Sequence, residues 1–284
     1  MEMNAIKEAV RRDKTLVGNL ANLLAEPFGI QDSEIISEVA LITGYFDACT
    51  HLIDDATDEH GYNKRASGLV HLGVDELLEG INCGLLMVHQ PSQWFSRVQQ
   101  YWKQASAGEK YLWKHHSNLA VYGEKDFEML GKRGAMAKVP VSLYADLSNQ
   151  ENSVLPLEAG VENAAIAIQL FDDIFDWEDD IKNKIYTHPI SLAYQRTGNL
   201  DSIEEGLFYH YAFNDSVAIA VRYLEKGKKF FDSCGAYQLS SKLDDFIKNA
   251  LLLDEKARQF DKEGGRRNLT EEIKKITDPL LFAH

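Results

Sequence analysis

The chain has 284 residues and a formal net charge of −14, from 30 Lys and Arg against 44 Asp and Glu. This acidity, without any basic tract, argues against a nucleic-acid partner and against docking on anionic lipid. Hydrophobic residues make up 45 % of the chain, which is enough for a large core, and the absence of a run of about 18 apolar residues argues against a membrane span.

Cysteine usage and the N-terminal sequence bear on the compartment. Cys49, Cys83 and Cys234 are far apart and form no Cys-x-x-Cys pair, so a disulfide framework or zinc site is not expected. The first residues, Met1 to Thr15, are mixed in charge and contain no apolar stretch of the secretory type. We therefore expect a cytoplasmic protein.

Helical periodicity dominates the rest of the sequence. Apolar residues recur at intervals of three and four, whereas alternating β-branched runs closed by Asn-Gly or Asp-Gly turns are essentially absent. We predict an all-α protein, a bundle of roughly ten helices in one domain over residues 1–284, because no Gly/Ser/Pro-rich linker divides the chain. In chain order the predicted helices are Asn4–Leu24, Ser33–Asp58 with Ser33 as its cap, Val74–His89, Ser92–Ala107, Glu109–Gly131, Ala137–Leu147, Leu157–Asp180, Pro189–Arg196, Ile203–Phe230, Ala236–Phe260 and Thr270–Phe282.

Two of these helices end in clusters of aspartates. Like charges four residues apart share a helix face and destabilise it by a few tenths of a kcal/mol per pair, and apolar neighbours add a desolvation cost. Magnesium offsets such repulsion, since it takes oxygen ligands from one or two carboxylates and from substrate phosphates. Either cluster alone is typical of a solvated helix end, but the two together favour a shared magnesium–diphosphate site. The clusters are Asp54-Asp55-x-x-Asp58 and Asp172-Asp173-x-x-Asp176-x-x-x-Asp180.

On these motifs the chain resembles the trans-type isoprenyl diphosphate synthases and the wider class I isoprenoid synthase superfamily. Gln169 precedes the second motif as it does in that family, and the basic pair Lys64-Arg65 follows the first. Lys184-Ile185-Tyr186-Thr187-His188-Pro189 is similar to the family's Lys-x-Thr-x-Pro element. Lys132 resembles the mid-chain lysine that binds diphosphate, and we prefer it to Lys138, which competes for the same role.

The resemblance implies an isoprenoid synthase fold around a central cavity, three Mg²⁺ ions with diphosphate bound, and ionisation of an allylic prenyl diphosphate to a carbocation. It also implies a homodimer. The implied catalytic metal ligands are Asp54, Asp55, Asp58, Asp172, Asp173 and Asp176, with Asp180 beside them, and the implied diphosphate contacts are Lys64, Arg65, Lys132, Lys184 and Gln169.

Helix geometry predicts where the prenyl tail lies. It should run from Asp54 back along the same helix, past the small residues Cys49 and Thr50 one turn away. Tyr45 and Phe46, two turns away, are bulky and should close the floor. We expect room for about 15 to 20 carbons.

Three functions remain open on the sequence. The leading hypothesis is a prenyl diphosphate synthase that adds isopentenyl diphosphate. A terpene cyclase on the same scaffold is the alternative, because the family's early Gly-Gly-Lys-Arg segment is replaced by Arg11-Arg12-Asp13-Lys14-Thr15. The cyclases' own second motif is matched only at its start by Asn214-Asp215-Ser216, which we interpret as a helix cap. The third possibility is a non-catalytic subunit of a heteromeric synthase.

Overall fold

The structure, a computed structural model, describes residues 16–58 and 64–263, and within these ranges every regular element is helical. The prediction of an all-α bundle is confirmed. Short 3₁₀ turns occur at Glu26–Phe28, Gly134–Lys138, Glu151–Ser153 and Leu200–Ser202. The α-helices, numbered α1 to α12 in chain order, are Leu16–Leu24, Ser33–Asp58, Lys64–Met87, Pro91–His116, Glu124–Arg133, Val139–Ser148, Val154–Phe175, Trp177–Asn183, His188–Thr197, Ile203–Phe208, Ala212–Ser233 and Tyr237–Glu263.

Helix α7 is central to the bundle. It packs along α11 and also contacts α5, α6 and the Gly134–Lys138 turn, while α2 packs along α3 and contacts α1. One main core fills the space between them, and its largest fully buried side chains include Trp94, Tyr144 and Phe171. Fully burying an apolar side chain such as that of Phe171 contributes about 1.5–3 kcal/mol. This core fixes α2 and α7, the two helices that carry the aspartate motifs.

The predicted helix Leu157–Asp180 is interrupted at Asp176. The backbone there has φ −94° and ψ 9°, and the carbonyl of Asp176 accepts the N–H groups of Asp179 and Asp180, each at 2.9 Å. These hydrogen bonds start the new helix α8. Because the chain turns at this point, Asp180 is not a straight continuation of the aspartate ladder on α7.

Other predicted boundaries are also wrong, and α3 begins at Lys64 and not at the predicted Val74. Helix α4 continues through Gly108 and ends at His116. Gly108 allows α4 and α5 to approach closely, because a Cβ at position 108 would lie 2.6 Å from the backbone N of Arg133 on α5. The predicted helix Ile203–Phe230 breaks before Tyr211, which has φ 61°. Thr270–Phe282 and the first part of Asn4–Leu24 lie outside the described residues.

Both predicted caps are corrected as well. The cap of α2 is Asp32 and not Ser33, because Asp32 Oδ1 accepts the N–H of Glu34 at 2.8 Å. Asn214 lies inside the first turn of α11, and its Nδ2 donates to Asp254 Oδ1 at 2.7 Å on α12. Asn214 is therefore a buried link between two helices.

Glycines on α3 allow it to approach α2 closely. A Cβ at Gly73 would lie 3.3 Å from the carbonyl oxygen of Cys49, and one at Gly80 would lie 3.1 Å from Cβ of Tyr45 and 3.2 Å from the ring of Phe46. All three α2 residues are buried. This face of α2 is thus occupied by α3.

By length and composition, one helical stretch of the described residues, Glu151–Phe175, is apolar enough to cross a membrane. Half of its apolar window is buried inside the bundle. Its last turns carry Asp172 and Asp173, and its sides contact α5, α6 and α11. These contacts are those of a core helix.

Candidate active site

A polar cavity of about 380 Å³ lies where α7 ends and α8 begins. The four acidic residues of the second motif line it together with Gln169, and Arg133 of α5 and Lys184 after α8 bring positive charge to the same walls. The structure therefore brings together the second-motif carboxylates that the sequence singled out, namely Asp172, Asp173, Asp176 and Asp180.

Asp173 is the most enclosed of these carboxylates. Its side chain is buried, Oδ1 accepts a hydrogen bond from Gln169 Nε2 at 3.2 Å, and Oδ2 is buried without a hydrogen-bond partner. Burial raises the pKa of Asp173 well above its usual range, and Asp180 and Asp172 raise it further. A buried carboxylate oxygen without a donor fits the ligand of a cation.

Burial also raises the pKa values of the neighbouring carboxylates, Asp172 and Asp180. Asp172 lies at the exposed edge of the cavity. The surrounding walls still remove part of its hydration, which raises its pKa, and the negative charge of Asp176 raises it further. The hydrogen bond that Gln169 Nε2 donates to Oδ2 of Asp172 at 3.1 Å acts in the opposite direction. Burial raises the pKa of Asp180 to about 7 despite a hydrogen bond from the Thr187 hydroxyl at 3.2 Å. The polar cavity has an excess of negative charge that a divalent cation would neutralise.

The donor set of the second motif is incomplete by itself. Among the described side chains no three His, Cys, Asp or Glu converge on one ion. Mg²⁺ commonly takes only one or two carboxylates and completes its shell with water and phosphate oxygens, so the motif fits such an ion when a diphosphate is present. The first motif lies on the last turns of α2, but the side chains of Asp54, Asp55 and Asp58 are outside the described residues. The same holds for Lys64 and Arg65.

The predicted lysine contacts are partly corrected. Lys184 lines the polar cavity, at a helix end with φ 59°. Lys132 does not line it and pairs with Glu128 one turn earlier on α5. Lys138, the rejected candidate, is buried and pairs with Glu162. Neither Lys132 nor Lys138 lines the cavity that contains the second-motif aspartates.

Arg133 is the cation that sequence reasoning missed. It lines the polar cavity, and its Nε lies 2.7 Å from Oε2 of Glu109, which holds the guanidinium in place. A signal was present in the sequence, because Glu128 and Lys132 form an i,i+4 pair that marks the solvent face of α5. The next residue, Arg133, is rotated by about 100° from that face.

An apolar cavity of about 250 Å³ adjoins the polar cavity, and Arg133 and Gln169 line both. Both α2 and α7 run along it towards their motifs, and the rise of α2 over the eight steps from Thr43 to His51 gives it a depth of about 12 Å. Its apolar walls come from α7, the Gly134–Lys138 turn, α11 and α12, and include Met136, Val161, Ala164, Ala165, Ile168, Phe231, Leu239 and Leu243.

The predicted lining of the tail site is corrected in three of its four residues. Thr50 lines the apolar cavity. Tyr45, Phe46 and Cys49 do not, because they lie on the face of α2 that the α3 glycines approach. Counting one and two turns from Asp54 gave the correct helix but did not fix which side of it faces the cavity.

Comparison with known proteins decides the fold. No family model and no curated protein matches the chain. Solved structures do match it, among them a geranylgeranyl pyrophosphate synthetase from the archaeon Geoglobus acetivorans, with TM-score 0.69 and 20 % identity over 86 % of this chain and 88 % of that chain. The fold is that of the isoprenyl diphosphate synthases.

Two further matches agree with this assignment. A decaprenyl diphosphate synthase from Rhodobacter capsulatus has TM-score 0.65 and 15 % identity, covering 82 % of this chain and 83 % of that chain. An octaprenyl pyrophosphate synthase from Helicobacter pylori has TM-score 0.63 and 14 % identity, covering 84 % and 91 %. The sequence resemblance is thus confirmed as an isoprenyl diphosphate synthase fold, while activity has to be argued from the site.

Proposed function

We propose that this chain is a Mg²⁺-dependent prenyltransferase, an isoprenyl diphosphate synthase that ionises an allylic prenyl diphosphate of about 15 to 20 carbons. The carrying observation is that the carboxylate-lined polar cavity meets the apolar cavity at Arg133 and Gln169. An allylic prenyl diphosphate has the same arrangement, with a polyanionic head joined to an apolar tail. Its reacting C–O bond would lie at the junction.

The residues of the polar cavity have different roles in binding the diphosphate head of the substrate. Gln169 donates to both Asp172 and Asp173 and so fixes their orientation. Arg133, held by Glu109, places a permanent positive charge where negative charge develops on the departing diphosphate, and Lys184 adds a second. Burial lowers the pKa of His116 in the same cavity to about 4, so His116 contributes no charge near neutral pH.

The metal requirement follows from the donor set. Asp172, Asp173 and Asp176, with the three carboxylates of the first motif, would hold magnesium, for which three ions are proposed, and Asp180 would support them. Bound magnesium supplies Lewis-acid neutralisation of the diphosphate. The apolar walls beyond the junction exclude water, which protects an allylic carbocation from hydrolysis.

The acceptor proposed is isopentenyl diphosphate, which makes the reaction an elongation. The test is incubation with Mg²⁺ and geranyl, farnesyl or geranylgeranyl diphosphate, each with and without isopentenyl diphosphate. Longer prenyl diphosphates formed only with isopentenyl diphosphate support the proposal. Hydrocarbon formed without it would contradict elongation and indicate a cyclase, and no turnover in any mixture would indicate a non-catalytic subunit.

A homodimer is also proposed. Val70, Val74 and Leu78 follow each other at four-residue intervals on α3 and are exposed, with 42 %, 42 % and 52 % of each residue's surface accessible. Leu86, further along the helix, is 88 % exposed. A stripe of this kind on one helix suits a symmetric contact in which the same surface of a second copy covers it.

A further inference from the structure

The short segment of residues 184–188, which follows α8, brings two polar side chains to the polar cavity. Lys184 and Thr187 both line that cavity, and the Thr187 hydroxyl donates to Oδ2 of Asp180 at 3.2 Å. The backbone N–H of Ile185 also donates to the carbonyl of Asp180, at 2.8 Å. The position of the 184–188 segment therefore sets where a positive charge and a hydroxyl lie relative to the second-motif carboxylates.

The 184–188 segment is attached to the end of α4. Residues 185–187 belong to no helix, so no helical hydrogen-bond pattern fixes their conformation. The backbone N–H of Tyr186 donates to the carbonyl of His116, the last residue of α4, at 2.9 Å. His116 also lines the polar cavity. The attachment therefore lies at the wall of the cavity that the segment serves.

A buried tyrosine, Tyr122, connects His116 to the other end of the segment. The Tyr122 hydroxyl and Nε2 of His116 form a hydrogen bond of 2.7 Å, and the two rings are stacked with an interplanar angle of 13°. The Tyr122 ring also packs on His188, which begins α9, with the ring centroids 5.2 Å apart. The segment is therefore held twice, at Tyr186 by His116 and at His188 by Tyr122.

The three rings are uncharged near neutral pH. Burial lowers the pKa values of His116 and His188 to about 4 and raises the pKa of the Tyr122 phenol above its usual range. Within the described part of the chain, neither ring nitrogen of His188 has a hydrogen-bond partner, so His188 serves as an aromatic surface against Tyr122 and Phe127. The rings therefore add no charge to the polar cavity, and their contribution to it is positional.

We propose that His116 and Tyr122 are positioning residues of the diphosphate site, which hold the 184–188 segment so that Lys184 and Thr187 face the substrate head; this inference rests on the proposed function. Lys184 ends α8 with a φ of 59°, so the direction of its side chain depends on how the following residues are held. A shift of the segment would move the Lys184 ammonium group away from the diphosphate and release the Thr187 hydroxyl from Asp180. Displacements of about 1 Å are enough to lose binding and rate in such sites.

The first test removes the Tyr122 hydroxyl and keeps its ring, in the full-length protein with Mg²⁺ and isopentenyl diphosphate. Tyr122→Phe should raise the KM for farnesyl diphosphate by about threefold to tenfold, as expected for one lost hydrogen bond, and change kcat less than about threefold. A purely structural defect would lower the folded fraction, and with it kcat, at unchanged KM. Tyr111→Phe is the matched control and should equal wild type, because Tyr111 lies on α4 outside both cavities and donates to Oδ1 of Asp126 at 3.0 Å.

A double-mutant cycle shows whether the pair acts through the segment. In a Lys184→Gln background, Tyr122→Phe should raise KM less than about twofold, because the charge that Tyr122 helps to position is already absent. His116→Gln, whose amide can still bond to the Tyr122 hydroxyl, should have a lower KM than His116→Ala. An equal effect of Tyr122→Phe in both backgrounds, or an unchanged KM in both Tyr122→Phe and His116→Ala, would overturn the inference.

Binding of the inorganic head group separates this inference from the proposed function. Mg²⁺ with inorganic diphosphate should raise the melting temperature of Tyr122→Phe less than that of wild type or of Tyr111→Phe. Equal rises in all three proteins would overturn the inference and leave the proposed function standing. A wild type that makes no product from any prenyl diphosphate would contradict the proposed function, and the comparison of melting temperatures would still decide the inference.

Discussion

The environment of one carboxylate, Asp173, supports the function proposed for the polar cavity. Its buried Oδ2 has no donor, and its native-state pKa is raised by burial and by two other aspartates. In the protein alone this is unfavourable, since the unfolded chain hydrates the same group fully. A cation in the polar cavity, as the proposed function requires, would offset this cost.

Asp173→Asn should therefore stabilise the protein in EDTA at pH 8, and should stabilise it less at pH 5. A raised pKa means that the native state binds its proton more tightly than the unfolded chain, so stability declines as pH rises above about 4, the usual pKa of an aspartate. The variant lacks this decline. Melting curves at both pH values, with the surface variant Asp245→Asn as control, measure it; a wild type more stable than Asp173→Asn at pH 8 would contradict the account.

Arg133 and Lys132 give a matched comparison of neighbouring cations. Arg133→Gln should lower kcat by roughly 100-fold or more, because it removes a fixed positive charge from the polar cavity. Lys132→Gln should leave kcat within about threefold of wild type, since its partner is the exposed Glu128. Steady-state kinetics with Mg²⁺ and an allylic diphosphate would decide between them, and a larger loss in Lys132→Gln would show that the sequence-based choice was correct.

For the helices, the sequence predicted well which segments are helical, but it predicted poorly which side of a helix faces the cavity. The apolar periodicity of Ser33–Asp58 was enough to predict the extent of α2, although its cap was assigned one residue too late. Its facing could not be predicted, because Tyr45, Phe46 and Thr50 all suit a cavity wall, and glycines more than 20 residues later decide which side α3 covers. The break at Asp176 was missed for a similar reason, since hydrogen bonds of the backbone and not composition produce it.

The apolar cavity gives a prediction that separates packing from product length. Phe46→Ala should cost about 3–5 kcal/mol of stability without lengthening the product, because Phe46 packs against α3. Val161→Phe, on α7 near the deep end of the cavity, should shorten the product by about one five-carbon unit. Denaturant unfolding and chromatography of the products test both variants. A longer product from Phe46→Ala would show that Phe46 closes the floor of the tail site, as the sequence predicted.

At the scale of the whole molecule, the exposed stripe on α3 points to a symmetric pair of chains. If the chain forms the homodimer proposed above, Leu78→Glu should convert it to a monomer, because a charge at the centre of the stripe would be buried without a partner. Light scattering coupled to size exclusion gives the mass directly. Leu251→Glu, at an equally exposed leucine on α12, is the control and should remain dimeric; a wild-type monomer at all concentrations would contradict the proposal.

The central claim is that the two aspartate motifs act together on an allylic diphosphate whose tail fills the apolar cavity. The most direct measurement is product formation from farnesyl diphosphate and isopentenyl diphosphate with Mg²⁺, by wild type and by Asp54→Ala, Asp55→Ala and Asp173→Ala. The account predicts a longer prenyl diphosphate from wild type, none in EDTA, and a loss of turnover in each variant with the helical fold retained. Wild-type turnover in any of the three variants would contradict it.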